Sequence, residues 1–181
     1  MKIHHPFLLA LLAVAAMPAV AAAQDAPGDK GPNVVGADAV FVLPLGDYGD
    51  FADFAVGALV RFELPLTPEL GVTARAGYLV DVGTPEVLGV EVSTSYIPFY
   101  AGAKYRIGAS GLFAAGEIGL TIARASFGGE SDSETKIGAT VGAGYQTGKI
   151  NGRLSLWLPS LEDAGDGQGL MASVGFDFLS L

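Results

Sequence analysis

Charged residues in this chain recur at strand-like spacing. Arg61 and Glu63 stand two apart in FAVGALVRFELPL, and Lys104 and Arg106 stand two apart in AGAKYRIG. On an extended chain such pairs point to one side, so each pair meets a single environment. Acid–base or nucleophilic work would need more than this. His4 and His5 are the only imidazoles, and there is no Cys. Both His lie in the apolar leader, so the rest of the chain has neither an imidazole base nor a thiol nucleophile. No Ser–carboxylate constellation takes their place. Arg61 and Glu63 therefore read as an interior structural pair, and no catalytic, cofactor-binding or metal-ligating residues are expected.

The elements that must position these charges follow from the apolar pattern. In residues 54–66, Phe54, Val56, Ala58, Val60, Phe62, Leu64 and Leu66 alternate with Ala55, Gly57, Leu59, Arg61, Glu63 and Pro65. Period-two alternation predicts a strand. Eight such segments are read, at about 33–45, 54–66, 69–82, 95–107, 112–124, 135–146, 150–158 and 170–178. Long connectors (46–53, 83–94, 125–134, 159–169) alternate with tight ones near 67–69, 108–111 and 147–149. That rhythm predicts an antiparallel meander with its short turns at one end and its long loops at the other.

Composition bounds the solvent. Hydrophobic residues make up 50% of the 181 residues and charged ones 16%, with 26 Gly. No apolar run after residue 23 reaches the ~20 residues of a membrane helix. Residues 1–23 carry Lys2, His4 and His5 before an apolar run, then Ala21, Ala22 and Ala23. They read as a secretory signal peptide, followed by a polar leader at 24–32 and a barrel domain at 33–181. Absence of Cys excludes disulfides and a lipid on an N-terminal Cys. The net charge of −9 argues against a nucleic-acid partner.

Two barrels fit the alternation. A soluble secreted barrel would put the apolar face inside around an apolar ligand. Its outer face would then be rich in Gly, which weakens a solvated strand. A transmembrane barrel turns the apolar face to lipid and pairs every backbone group. Its interior, filled by side chains, would hold Arg61, Arg75, Lys104, Arg106, Lys136 and Arg153 against Asp38, Glu63, Asp81, Glu117 and Asp177. Six bases against five acids is the near-balance that a structural lumen ion-pair network needs. The expected fold is therefore all-β, an eight-stranded antiparallel up-and-down transmembrane β-barrel. Phe62, Tyr105, Tyr145, Phe176 and Phe178 would form one aromatic girdle, and Phe41, Phe54, Tyr78 and Phe99 the other.

With its signal peptide, dyad-repeat segments, short turns and aromatic last strand, residues 33–178 resemble the small outer-membrane β-barrels of Gram-negative bacteria, of the OmpA transmembrane-domain, OmpX and OmpW kind. The resemblance implies a bacterial outer-membrane location, contact with lipid and lipopolysaccharide, insertion by the barrel-assembly machinery, and a monomer. It also implies a terminal aromatic. Here the pattern stops at Phe178, three residues before Leu181, and Asp177 breaks the alternation leading to Leu181. Pro98 cannot donate to a ladder, so a bulge, or a strand already above the membrane, is expected there.

One fold hosts many activities. A non-enzymatic structural or cell-surface role is the leading expectation, and a narrow pore for ions or small solutes is the alternative. The long connectors hold eleven acids and no base: Asp47, Asp50, Asp53, Glu86, Glu91, Glu130, Asp132, Glu134, Glu162, Asp163 and Asp166. They give a solvated negative surface; a sharper expectation is divalent-cation capture. Arg124 has lipid-facing parity at the outer rim and is expected to reach a lipid phosphate.

Overall fold

A computed structural model of the chain describes residues 30–50, 52–83, 86–87, 90–127, 130–164 and 167–181. The expected signal peptide and most of the leader lie outside the described residues. The described residues form nine strands: β1 (Val34–Leu45), β2 (Phe54–Pro65), β3 (Leu70–Val82), β4 (Glu86–Val87), β5 (Val90–Arg106), β6 (Leu112–Phe127), β7 (Glu130–Thr147), β8 (Ile150–Leu158) and β9 (Gln168–Ser180). All ladders are antiparallel. β1 pairs with both β2 and β9, and β3 pairs with β5, so the eight long strands close into a barrel. The two-residue β4 only folds back on the start of β5.

Short turns gather at one end. The β2–β3 turn is closed by Leu66 and Thr67 amides on the Leu70 carbonyl at 2.8 and 3.0 Å. The β7–β8 turn runs through Gly148, whose φ of 55° is a conformation that costs Gly little. At the other end, residues 46–50 form a single 3-10 turn that tucks Tyr48 into the barrel mouth.

The alternation resolves as lipid-out, charge-in. Outward positions include Phe41, Val60, Tyr78, Phe99, Ile118, Ile137, Leu154 and Phe176, all highly exposed. Inward positions include the buried Asp38, Arg61, Glu63, Arg75, Lys104, Glu117, Arg153 and Asp177. A soluble barrel around an apolar ligand needs the reverse, so that alternative is discarded.

Three local expectations change. At Pro98 the register of β5 against β3 and β6 is continuous, with no bulge. Instead the β3–β5 ladder lapses between Ala76↔Phe99 and Leu79↔Tyr96, which accommodates the missing donor. Pro98 is fully buried and faces the lumen, flanked by outward Ile97 and Phe99, so it does not stand above the apolar band either. A bulge does occur in β9: Val35 pairs with Leu179 but Gly36 with Asp177, leaving Phe178 without a partner on β1. The extra residue lets Asp177 face inward while Phe178 and Leu179 both stay exposed. Finally, residues 125–127 and 130–134 of the expected connector are strand. β6 and β7 stay paired from Leu112↔Tyr145 up to Phe127↔Glu130.

Candidate functional site

The lumen has two compartments. The half nearer the short turns is charged. Arg61 reaches three carboxylates: Nη2 lies 2.6 Å from Asp177, Nε 3.3 Å from Asp38, and Nη1 3.6 Å from Glu63. Arg75 stands directly across the β2–β3 ladder from Arg61. Like charges there repel, and Asp38 bridges them, its second oxygen lying 3.5 Å from Arg75 Nε. Glu117 accepts from Thr73 at 2.9 Å, Thr140 at 2.9 Å, Arg75 at 3.2 Å and Arg153 at 2.9 Å. Arg153 also donates to Ser155 and Thr140. Lys104 donates to Glu63 at 2.9 Å and to Gln146 at 2.6 Å, and Arg106 donates to Glu63. Gln146 in turn donates to Asp177 at 3.1 Å.

Small residues make this packing possible. A Cβ on Gly36 would sit 2.8 Å from Arg61 Nη2 and 2.9 Å from Asp177 Oδ1. One on Gly175 would sit 2.0 Å from Asp38 Oδ1.

The half nearer the long loops is apolar and aromatic. Val40, Val42, Leu59, Leu79, Trp157 and Met171 pack there with Tyr48, Tyr96 and Tyr100. Tyr96 and Trp157 meet edge to face at 5.1 Å between centroids, and Tyr48 contacts both rings. Trp157 Nε1 donates to Tyr100 Oη at 2.9 Å, and Tyr100 shares a 2.6 Å hydrogen bond with Thr121. This seal is missing from the sequence reading. Its signal was present: Val40, Val42, Leu59, Leu79, Trp157 and Met171 all have inward parity near the long-loop end of their strands.

Two residues assigned to the lumen network stand apart from it. Asp81 meets no cation among the described residues; it accepts from Tyr48 at 2.5 Å and Tyr96 at 3.3 Å inside the aromatic seal. Lys136 has inward parity but rises above the lumen, where it donates to Asp163 at 2.8 Å and lies 3.3 Å from Glu134. The long-loop crown is therefore not base-free. The hydrogen bonds from Lys136 and then Ser160 hold the Asp163 carboxyl below the ordinary carboxylate range. A 2.7 Å bond from the Leu161 amide to the Ile137 carbonyl ties the same loop to β7.

Arg124 is exposed on the outward side of β6, between Ser95 on β5 and Ser133 on β7. Among the described residues, no three His, Cys, Asp or Glu converge to hold a metal ion, so the loop acids form no such cluster there. Asp166 lies outside the described residues.

The closed ring, the apolar exterior and the charged interior are matched by a family comparison. The model of the outer membrane protein beta-barrel domain matches residues 7–158. The chain belongs to this family. It is an outer-membrane β-barrel protein. Among solved structures, the attachment invasion locus protein Ail of Yersinia pestis superposes with a TM-score of 0.58 at 16% identity, covering 81% of this chain and 97% of Ail. Ail in complex with the heparin analogue sucrose octasulfate gives 0.59 at the same identity and coverage. The backbone structure of Ail in a phospholipid bilayer nanodisc gives 0.53 at 15% identity, over 82% of this chain and 99% of that one. These likenesses show the fold. No curated protein matches the chain as a sequence relative.

Proposed function

We propose that this barrel is a closed, non-enzymatic strut that holds a polar sheet above the membrane for surface contact. The observation that carries the reading is strand length. β5, β6 and β7 run for 17, 16 and 18 residues, whereas the other five barrel strands have 9 to 13. A tilted strand crosses hydrocarbon in about 9–11 residues. The surplus is polar on its outward side: Ser93, Arg124, Ser126, Ser131, Ser133 and Thr135 are exposed there in place of the apolar band. With the short turns in the periplasm, this sheet projects from the cell. A tag inserted between Phe127 and Glu130 is expected to be labelled on intact cells; labelling only after lysis would overturn the reading.

The aromatic seal and the ion pairs support a blocked lumen over a pore. Planar-bilayer recordings of the folded protein are expected to show no discrete conductance steps, and reproducible steps would favour the pore. Ail's polysulfated ligand is not extended to this chain, whose long-loop end is strongly acidic. Arg124 is instead assigned to a lipopolysaccharide phosphate beside the apolar rim. Arg124→Ala should weaken binding of lipopolysaccharide to the folded protein, and equal binding would remove that role.

A further inference from the structure

Two buried side-chain donors, Arg75 Nη2 and Asn151 Nδ2, have no acceptor among the described residues, and Arg61 Nη1 and Arg75 Nε face Glu63 and Asp38 at 3.6 and 3.5 Å without forming a hydrogen bond. Arg61, Arg75 and Asn151 are 95%, 97% and 96% buried, since their exposures are 5%, 3% and 4%. An orphan donor at such depth is costly, more so when charged, and here three residues from three strands line one cavity. It offers ≈ 10 Å³ to a water-sized sphere, at the lower edge of the ~10–15 Å³ that one water needs.

The lining decides which occupant fits. Arg61, Arg75, Lys104 and Arg153 bring four cations to this cavity, against the two carboxylates Asp38 and Glu117. Both carboxylates are already engaged by ion pairs. A water facing N–H donors accepts at most two and must then place two protons of its own. An anion accepts from all of them and offsets the surplus positive charge. The charge balance of the compartment agrees. Arg61, Arg75, Lys104, Arg106 and Arg153 face Asp38, Glu63, Glu117 and Asp177, five against four. Asp81 does not complete the count, because it is six residues further along β3 than Arg75, roughly 20 Å of strand, within the aromatic seal.

We infer that the lumen holds a monatomic anion of the halide class, coordinated by Arg61, Arg75 and Asn151. Access is from the short-turn end. A recess of ≈ 240 Å³ opens there between Arg106, Gly108, Gly111 and Gln146, and it shares Phe113 with the inner cavity. The Lys104 ammonium sits 4.4 Å over the Phe113 ring at that junction. The long-loop end is closed by Tyr48, Tyr96 and Trp157.

The direct experiment is anomalous diffraction from crystals of the detergent-folded full chain exchanged into sodium bromide. A bromide peak within hydrogen-bond distance of the Arg75 and Asn151 side chains is expected. An ordered water there, with no anomalous signal, overturns the inference. In solution, thermal unfolding in bromide is compared with equal sodium gluconate, whose anion is too large for the cavity. At about tenfold above the dissociation constant the midpoint should rise by roughly 3–6 °C. Equal midpoints count against the site. Asn151→Asp puts a carboxylate among the donors and should abolish the shift, and a shift that survives in that variant overturns the assignment. If Asn151→Asp does not fold, the wild-type bromide map still decides.

Discussion

The carboxylate of Glu117 meets two hydroxyls and two guanidinium groups, those of Thr73, Thr140, Arg75 and Arg153. Removing it would leave Arg75 and Arg153 buried against each other without their shared counter-ion. Breaking a buried pair costs about 3–5 kcal/mol, so Glu117→Ala should lower the unfolding free energy in urea by that order. Trp157 is the only Trp, and its buried indole gives the fluorescence signal to follow the transition. Arg106 is the contrast. Its side chain is 27% exposed on the rim, and without it Glu63 keeps Lys104 and Arg61 beside it, so Arg106→Ala should cost less than Glu117→Ala. Equal losses in the two variants would contradict the depth assigned to Glu117. Parity made both residues legible in the sequence, because lipid tolerates only apolar side chains and forces charges to the other face. Depth was not legible. Lys136 shares the inward parity of Lys104, yet its partners are Glu134 further along β7 and Asp163 of the loop after β8.

At the scale of elements, the same limit explains what the sequence left open. All eight barrel strands were readable from the alternation between Asn33 and Phe178, because every outward position within the band must be apolar. Above the band that constraint ends. Ser131, Asp132, Ser133 and Glu134 then look like a loop although β6 and β7 remain fully paired there. Tyr48 was equally hidden, since its burial comes from packing of a turn into the barrel mouth and not from any period. The loop after β8 is fastened to β7 by Lys136–Asp163 and by the Leu161 amide. Because the Asp163 carboxyl is held below its ordinary range, its contribution is present above the unfolded carboxylate value. It is lost as pH falls through the lower folded value. In a carboxyl NMR titration, Asp163 should therefore titrate below the ordinary carboxylate range. Lys136→Ala should return Asp163 toward the ordinary range while the barrel spectrum stays unchanged. Unaltered titration in that variant would show that the fastening acts through the backbone alone.

For the whole molecule, the two lumen compartments imply a definite pattern of energetic coupling. In the charged half every barrel strand supplies a member: Asp38 from β1, Arg61 from β2, Arg75 from β3, Lys104 from β5, Glu117 from β6, Gln146 from β7, Arg153 from β8 and Asp177 from β9. A path of contacts runs from Asp177 through Arg61, Asp38 and Arg75 to Glu117. Groups in one such network do not respond independently. A double-mutant cycle on Asp177→Ala and Glu117→Ala should give a coupling energy of about 0.5–3 kcal/mol. Tyr48 and Asp81 belong to the other compartment and share no ion-pair partner with Glu117 among the described residues. A cycle on Tyr48→Phe and Glu117→Ala should therefore be additive within about 0.5 kcal/mol. Tyr48→Phe keeps the ring in the seal and removes only the hydroxyl from Asp81, so it tests the electrostatic link and not the packing. Coupling as strong across the compartments as within one would mean that the aromatic layer does not separate them. The five-against-four charge count that supports a lumenal anion would then have to include Asp81.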